Sequence, residues 1–377
     1  MKKKVAFIGG GIDSVVGRAH YAALNLDGQF ELKFGLFSND KYISSKTSRL
    51  YNLENGNFDS LENFIQKFKD EKIDLVVILS PSPLHYRHIK SCLDSGLSVI
   101  CEKPVVTKLS DLKKIDLILR RKKVFFGSVF NYACYPMISE MKELIKRKVI
   151  GNIQQLHCSM PQEGFISQKV AAGEVSVPQS WRLKENKISN IFLDLGIHIS
   201  YLIKFITNLK PIKVKAISRN FSRFKNISDN IFFWLNFPNK VVGDFWISKT
   251  ATGSSNDLSI KVYGSKGSLM WEHKRPEQII LSNTHGEKKI IERRSFLLKA
   301  NNSDFNRFKA GHLEGFIEAY ANFYLIISRE FDYFKKYKKY SKNYFFSFDN
   351  AKEGIFLGDA ISKSIKYNSK WTKIKKK

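Results

Sequence analysis

Long apolar runs, acidic residues and cysteines are all scarce in this sequence of 377 residues. No apolar run approaches the roughly 20 residues that a membrane-spanning helix needs, so we expect no membrane partner. Residues 5–8 form a short apolar run that glycines interrupt. This run is too short for the apolar region of a signal peptide, and we interpret it as a first strand.

The cysteines are few, and no two of them have the Cys-x-x-Cys spacing. The absence of that spacing argues against a zinc site and against a disulfide framework. Reducing compartments keep thiols free. We therefore expect a cytoplasmic protein without a bound metal. The four cysteines are Cys92, Cys101, Cys134 and Cys158.

Acidic residues are outnumbered, with 35 Asp and Glu against 63 Lys and Arg, which gives a net charge of +28. Such a charge could serve nucleic acid, an anionic membrane or an anionic substrate. The lysines, however, are spread along the whole chain, and no aromatic-interleaved RNA-binding pattern accompanies them. We expect a lysine-rich solvated surface and no nucleic-acid partner, and the role of the charge stays open.

The length predicts two domains. Over residues 1–131, strands alternate with helices, which predicts a Rossmann-type, doubly wound α/β domain with a parallel sheet. The predicted strands are 4–8, 30–37, 74–80, 97–101 and 124–130. The predicted helices are 16–26, 59–70, 84–95 and 110–121.

Residues 132–377 have a different pattern, which predicts an α+β domain with a largely antiparallel, open-faced sheet. Its helices are expected at 137–148, 191–206, 313–329 and 349–366, and the longest irregular stretch is 162–179. Its strands are expected at 153–160, 212–221, 230–237, 241–249, 258–263 and 268–271. Four aromatic residues on these strands suit either sheet-face packing or a subunit contact, and we expect a homodimer or homotetramer through this sheet: Phe232, Trp234, Phe245 and Trp246.

A glycine loop follows the first predicted strand. Gly9 and Gly11 take the first two positions of the Gly-x-Gly-x-x-Gly pattern, Ser14 takes the third, and a glycine recurs at Gly17. A strand, glycines and a helix in this order let main-chain N–H groups meet a pyrophosphate. We predict a nucleotide cofactor held by a loop about three residues longer than usual.

The end of the second strand usually selects between NAD and NADP. Ser38 stands where an acid that binds the ribose is expected, while Asp40 and Lys41 argue in opposite directions. The choice between NAD and NADP stays open, with NAD slightly favoured.

The apolar run at residues 97–101 ends in Glu102, Lys103 and Pro104. In open α/β sheets, ligands bind beyond the carboxyl ends of the strands, so Lys103 is expected to point into a crevice. Pro104 favours an extended Lys103. From this tripeptide alone, an ordinary surface loop remains an alternative.

Four motifs occur in a fixed order: the glycine loop, residues 80–85 (SPSPLH), 102–104 (EKP) and 194–198 (DLGIH). Together they resemble the Gfo/Idh/MocA family of NAD(P)-dependent sugar and polyol oxidoreductases. Further stretches are similar to its branch of levoglucosan dehydrogenase-like sugar dehydrogenases: 9–20, 130–136, 181–182 and 311–316. Residues 187–192 depart from the glycine-rich segment of relatives, which leaves the substrate open.

The resemblance implies a catalytic triad of Lys103, Asp194 and His198, with Lys103 beside the nicotinamide and His198 as the proton acceptor. Tyr132 and Arg182 are candidate substrate contacts. The expected cofactor-binding residues are Gly9, Gly11, Ser14, Ser38, Ser80, Pro81, His85, Glu102, Lys103 and Asn131.

Oxidation of a carbinol removes a hydride and a proton, and histidine titrates near the working pH of such a base. A lysine ammonium stabilises a developing alkoxide. Asp194 and His198, four residues apart, would share one helix face. The alternative is a helix-cap aspartate and a core histidine.

We therefore expect an NAD(P)-dependent dehydrogenase acting on a secondary hydroxyl of a sugar, anhydrosugar or polyol. Three alternatives remain: a nucleotide-sugar 3-dehydrogenase of surface-polysaccharide synthesis, an enzyme that oxidises its substrate transiently with tightly held NAD, and a non-catalytic sugar sensor.

Overall fold

The computed structural model describes residues 2–53, 58, 60–166, 170–171, 174–175, 177–295, 299–309 and 311–375. The chain forms two compact units. The first comprises Met1–Cys134 and Glu314–Lys352, and the second comprises Tyr135–Leu313 and Glu353–Lys377. This division differs from the predicted boundary at 131/132, because a late helix, Phe316–Tyr337, packs within the first unit against the helix Val15–Leu26 and the turn Asn131–Cys134.

The helices of the described residues mostly follow the predicted pattern. They are α1 (Val15–Leu26), α2 (Lys41–Leu50), α3 (Leu61–Asp70), α4 (His85–Asp94), α5 (Leu109–Lys122), α6 (Pro136–Lys146), α7 (Ile197–Thr207), α8 (Phe316–Tyr337) and α9 (Phe348–Lys366). Short 3₁₀ turns cover Ser82–Leu84, Asn131–Cys134 and Ser180–Leu183, and a π-helical turn covers Phe192–Gly196.

The strands of the described residues fall into three sheets. They are β1 (Lys3–Gly9), β2 (Phe30–Leu36), β3 (Leu75–Leu79), β4 (Val99–Cys101), β5 (Phe126–Ser128), β6 (Ile153–Pro161), β7 (Val170–Ala171), β8 (Glu174–Val175), β9 (Lys213–Arg219), β10 (Asn230–Asn236), β11 (Val242–Ser248), β12 (Ser259–Gly264), β13 (Gly267–Glu272), β14 (Gln278–Asn283), β15 (Lys288–Glu292) and β16 (Thr372–Lys373). The pair β7–β8 lies in the predicted irregular stretch 162–179, part of which is outside the described residues.

The first unit is built on a parallel sheet in the order β2-β1-β3-β4-β5. All five residues of β3 are buried, as expected of a strand covered on both faces, which reads in sequence as a continuous apolar run. The predicted Rossmann-type domain is therefore confirmed. The sequence did not predict α2, whose polar segment begins where the Asp40 carboxylate accepts hydrogen bonds from Tyr42 N and Ile43 N.

The second unit is built on a sheet in the order β15-β14-β13-β12-β6-β11-β10-β9-β16. Its strand pairs are antiparallel except β6–β11, which is parallel. β6 is the first strand of this sheet in the chain, and it lies between the antiparallel strands β11 and β12, so it must be parallel to one of them. The predicted largely antiparallel sheet is confirmed, but the sequence did not predict β14, β15 or β16.

The four aromatic residues predicted on this sheet divide between its two faces. Phe245 is buried and stacks on Phe233, with 5.0 Å between the ring centroids. Phe232 stacks on Trp246 at 5.8 Å, and Phe232 and Trp234 are both exposed. Alternation along a strand explains the division. Phe245 is therefore a core residue, and a subunit contact through the other face stays a prediction.

Within the described ranges, no helix is both long and apolar enough to cross a membrane. All four cysteines are buried and free. Among the same residues, no group of three or more His, Cys, Asp or Glu side chains is placed to hold a metal ion.

Candidate active site

The glycine loop follows β1 with two residues in the left-handed region. Gly9 has a φ of +81° and Gly10 a φ of +77°, a conformation that side chains other than glycine rarely adopt. A Cβ atom on Gly9 would lie 2.5 Å from Ser80 N, at the end of β3. The main chain therefore approaches the adjacent strand end closely, as a dinucleotide-binding turn requires.

Gly17, and not Ser14, has the structural role of the third glycine of the Gly-x-Gly-x-x-Gly pattern. A Cβ atom on Gly17 would lie 2.4 Å from Gly10 O, so α1 can approach the loop only with glycine at this position. Ser14 instead caps the N-terminus of α1: its hydroxyl oxygen accepts a hydrogen bond from Gly17 N at 3.1 Å. The longer loop thus keeps the close helix–strand packing of the usual pattern, and these residues fit a pyrophosphate at the helix N-terminus.

The unpredicted helix α2 supports this loop. Thr47 accepts a hydrogen bond from Ile12 N at 2.9 Å and donates one to Ile43 O at 2.7 Å. Just beyond α2, Tyr51 donates to Gly10 O at 3.4 Å. Burial raises the pKa of the Tyr51 hydroxyl to about 12, so it remains a donor at any working pH. The polar sequence of α2 gave no sign of this role.

At the end of β2, the polar side chains serve the local fold. Ser38 accepts a hydrogen bond from Asp40 N at 3.1 Å. The Asp40 carboxylate caps α2, and Lys41 is the first residue of that helix. The Asp40 carboxylate thus binds main-chain N–H groups at the N-terminus of α2, where a negative charge is favourable.

Beyond β4, Glu102 points inward and is buried. Its Oε1 accepts hydrogen bonds from His20 Nε2 at 3.0 Å and from the Tyr320 hydroxyl at 3.1 Å. Its Oε2 accepts one from Lys103 N at 2.9 Å. Burial raises the pKa of Glu102, but the His20 hydrogen bond and the nearby Lys103 charge outweigh it, so the pKa falls below its usual value. An ionised, buried carboxylate therefore holds the main chain of Lys103.

His20 connects this carboxylate to α8. An ionised carboxylate only accepts hydrogen bonds, so His20 Nε2 is the donor to Glu102. In the neutral ring, His20 Nδ1 then accepts from the Tyr324 hydroxyl at 2.7 Å. Burial raises the pKa values of Tyr320 and Tyr324 well above their usual value. In this network, the Tyr324 hydroxyl donates to His20, and His20, the Tyr320 hydroxyl and Lys103 N donate to the Glu102 carboxylate.

His85 holds the same turn from the other side. Its Nδ1 lies 2.7 Å from Pro104 O, and its Nε2 lies 2.7 Å from Ser80 O. Burial lowers the pKa of His85, and a neutral ring can donate only one of these two bonds. The His85 side chain thus links the end of β3 to the turn after β4. The peptide bond between Lys103 and Pro104 in this turn is cis. Its predicted cofactor contact stays a prediction.

The other predicted residues of the first unit have different environments. The Ser80 hydroxyl lies 2.8 Å from His88 Nδ1, and Pro81 beside it is exposed. Asn131 and Tyr132 are buried on the 3₁₀ turn, which α8 contacts through a hydrogen bond from Asn322 Nδ2 to Cys134 O at 3.0 Å. Lys103 is half-buried.

In the second unit, Asp194 lies between two cations. Its Oδ2 is 3.0 Å from Arg182 Nη1 and 2.7 Å from Lys249 Nζ. Lys249 follows β11 directly and also donates to Gln162 Oε1 at 2.6 Å. Sequence reasoning missed Lys249, because a single lysine after a strand carries no signal. Two neighbouring cations favour an ionised Asp194.

The sequence predicted one regular helix over residues 191–206, and this is wrong in its first turn. Phe192–Gly196 is π-helical, and α7 begins only at Ile197. A Cβ atom on Gly196 would lie 2.3 Å from a Phe192 ring carbon, so glycine makes room for that ring. His198 is buried in the first turn of α7. The helical period between Asp194 and His198 is therefore not the regular one, and the face that they are expected to share stays a prediction.

The predicted triad is thus divided between the units: Lys103 belongs to the first, and Asp194 and His198 belong to the second. The first unit has the loop that a dinucleotide requires and a lysine whose main chain is fixed. The second has an ionised carboxylate and an imidazole, which can hold or move a proton.

Comparison with known families identifies the class of protein. Residues 3–130 match the model of the oxidoreductase family with an NAD-binding Rossmann fold, and residues 138–270 match the GFO/IDH/MocA C-terminal domain. The chain belongs to the GFO/IDH/MocA family. The predicted family, the oxidoreductase class and the nicotinamide cofactor are confirmed.

Individual relatives are distant but cover most of the chain. The uncharacterized oxidoreductase YfiI of Bacillus subtilis is 26% identical over an alignment of 338 residues, which covers 85% of this chain and 83% of that protein. The levoglucosan dehydrogenase of Pseudarthrobacter phenanthrenivorans is 20% identical, covering 73% of this chain and 75% of that one. An inositol dehydrogenase homologue from Azotobacter vinelandii, solved with NADH and myo-inositol, shares the fold with a TM-score of 0.89 at 22% identity, covering 99% and 98% of the two chains.

Proposed function

We propose that this oxidoreductase transfers a hydride between a secondary hydroxyl of a sugar, anhydrosugar or polyol and the nicotinamide of NAD or NADP. The observation that carries the proposal is the Lys103 turn: a lysine at the carboxyl end of a central strand, with its main chain fixed by the buried, ionised Glu102. An ammonium group carried by a fixed main chain at that edge of the sheet suits a developing alkoxide. The names of the relatives, which include a levoglucosan dehydrogenase, point to the same substrate class.

Three residues share the chemistry in this proposal. Lys103 stabilises negative charge on the substrate oxygen, and His198 accepts the proton of the hydroxyl. Asp194, which its two cationic neighbours keep ionised, accepts a hydrogen bond from the substrate and orients it toward the imidazole of His198. When bound, the dinucleotide supplies the hydride acceptor.

The remaining predicted residues have binding roles in the proposal. Tyr132 and Arg182 contact the substrate. The cofactor is held by the glycine loop and the neighbouring strand ends, through Gly9, Gly11, Ser14, Ser38, Ser80, Pro81, His85, Glu102, Lys103 and Asn131.

The test is the absorbance of reduced nicotinamide with NAD and with NADP, against a panel of free sugars, polyols, anhydrosugars and nucleotide sugars. Lys103→Met should lower kcat by about 100- to 1,000-fold for the best substrate, the usual effect of removing a group that stabilises an oxyanion. Lys108→Met is the matched control, since Lys108 is exposed five residues along the chain.

Three results would contradict the proposal. They are wild-type kcat in Lys103→Met, the same loss in Lys108→Met, and sugar binding without turnover by the wild-type protein. The last result would favour the non-catalytic sensor.

A further inference from the structure

The main chain of Lys249 is fixed at the end of β11. Its N–H donates to Asp229 O at 2.8 Å, and its carbonyl accepts from Phe165 N at 2.9 Å. Asp229 is buried, and its carboxylate accepts hydrogen bonds from Phe221 N at 3.0 Å and from Ser222 N at 2.8 Å. Both main-chain groups of Lys249 are therefore held by hydrogen bonds, and its side chain starts from a fixed point.

Gln162 contacts the Lys249 ammonium from the neighbouring strand β6, which it follows directly. Its main chain donates to Ser248 O at 2.8 Å and accepts from Ala251 N at 2.9 Å, so it is bonded on both sides of Lys249. Its Oε1 accepts from Lys249 Nζ at 2.6 Å, and its Nε2 donates to Asn256 Oδ1 at 2.9 Å. An ammonium group only donates, so the amide oxygen must face Lys249. Both ends of the Gln162 amide are thus fixed.

Asp194 lies on the π-helical turn Phe192–Gly196, before the regular helix α7 begins. Of its two cationic neighbours, Arg182 belongs to a short 3₁₀ turn, and its side chain is 36% exposed. The Lys249 side chain is only 13% exposed, and its Nζ lies 2.7 Å from Asp194 Oδ2. The ammonium therefore lies between an amide held by the sheet and the carboxylate, at hydrogen-bond distance from both.

We propose that Gln162 is a positioning residue of the candidate active site: it holds the Lys249 ammonium in place, and Lys249 in turn sets the orientation of the Asp194 carboxylate. A lysine side chain has many conformations, and each acceptor at a fixed position reduces their number. The orientation matters because a displacement of about 1 Å in a catalytic group can cost about 100-fold in rate. The inference rests on the proposed sugar oxidoreductase function, in which Asp194 orients the substrate.

The first variant is Gln162→Met, which removes both hydrogen-bonding groups and nearly keeps the length of the side chain. It should lower kcat for the best substrate by about 10-fold, as for the loss of a hydrogen bond to a charged group. The NADH affinity in a fluorescence titration should stay unchanged, because the glycine loop belongs to the first unit. A merely structural role of Gln162 would lower the free energy of unfolding and leave the kcat of the folded enzyme unchanged.

Two further variants separate the acceptor from the rest of the side chain. Gln162→Glu keeps an acceptor oxygen for Lys249 and should retain most of the wild-type kcat. Gln155→Met is the matched control, since Gln155 is an exposed glutamine on β6, and it should have the wild-type kcat. Wild-type kcat in Gln162→Met, or an equal loss in Gln162→Glu and Gln162→Met, would overturn the inference.

A double-mutant cycle tests whether Gln162 acts through Lys249. Lys249→Met should lower kcat at least as much as Gln162→Met does. The double variant should be no slower than Lys249→Met alone, because residues of one hydrogen-bond network have non-additive effects. Losses that multiply in the double variant would show that Gln162 acts independently of Lys249, and they would overturn the inference.

A crystal structure of Gln162→Met supplies a readout that does not need turnover. The Lys249 ammonium should move away from Asp194 Oδ2, and the carboxylate should rotate. Unchanged positions of both groups would overturn the inference even if no substrate were found. Oxidation that needs Lys103 but is unaffected in Gln162→Met would refute the inference alone. Displacement of Lys249 in a protein that oxidises no sugar or polyol would refute the proposed function alone.

Discussion

The Glu102→Gln substitution tests whether the buried network positions Lys103. The two side chains have almost the same shape, but an amide has one acceptor oxygen where the carboxylate has two. If the amide oxygen faces His20 and Tyr320, the amide NH₂ faces Lys103 N, and two donors then oppose each other. At least one hydrogen bond is lost in either orientation, and the main chain of Lys103 must move.

The expected size of the effect follows from these three hydrogen bonds. A bond to a charged acceptor contributes about 1.5–3 kcal/mol, and a neutral one about 1 kcal/mol. Loss of the Lys103 bond and weakening of the other two are partly offset because the buried site no longer holds a charge. We expect the free energy of unfolding to fall by about 2 kcal/mol. Displacement of the lysine by about 1 Å would lower kcat/KM by about 100-fold.

The measurements are the denaturant midpoint and the steady-state kinetics, with Glu330→Gln as the matched control. Glu330 is also a buried carboxylate of the first unit, and it accepts from Ser341 N and the Ser341 hydroxyl, both at 2.6 Å. Its amide variant should lose similar stability but retain wild-type kcat/KM. If Glu102→Gln lowers kcat/KM no more than this control does, Glu102 is structural and does not position Lys103.

Two further predictions concern the glycine loop and the effect of acid. Gly17→Ala places a Cβ 2.4 Å from Gly10 O and should weaken NADH binding at least 10-fold in a fluorescence titration. In the control Gly28→Ala, the added Cβ meets no atom within 4 Å, and the affinity for NADH should not change. Equal NADH affinities of the two variants would contradict the proposed fit of the loop to the dinucleotide. Burial lowers the pKa of His88 to about 4, so the unfolded chain binds a proton there below pH 6.5 that the folded protein does not. Between pH 6.5 and 4 the free energy of unfolding should therefore fall by up to about 3 kcal/mol from this group, and His88→Asn should flatten that part of the denaturation profile.

The parallel sheet and its glycine loop could be predicted because their signals are local. A buried strand such as β3 reads as a continuous apolar run, and a turn with a positive φ requires glycine at fixed offsets. Gly17 shows the limit of this reasoning. The sequence placed it three residues beyond the usual pattern, but only the structure shows that it performs the usual packing against Gly10.

Partners that are distant in sequence could not be predicted. Lys249 comes next to Asp194 because β11 ends beside the π-helical turn, and nothing in either segment indicates the other. The π turn itself depends on how the Phe192 ring packs over Gly196. The sequence predicted a shared helix face for Asp194 and His198 from the period of a regular α-helix, and it could not show that the local hydrogen bonding has a different period.

The helix α8 contributes support for the Lys103 turn that the sequence did not predict. Its apolar face predicts that it packs on a partner, but amphipathicity does not identify that partner. Tyr320 and Tyr324 are one turn apart and fully buried, and buried tyrosine hydroxyls need acceptors. Those acceptors are Glu102 and His20, more than 200 residues earlier. Glu102 of the Glu-Lys-Pro motif therefore faces α8 and α1, and it holds the main chain of Lys103 from the side of these helices. The helix α8 belongs with the Rossmann unit because its Tyr320 donates to the carboxylate that holds this turn.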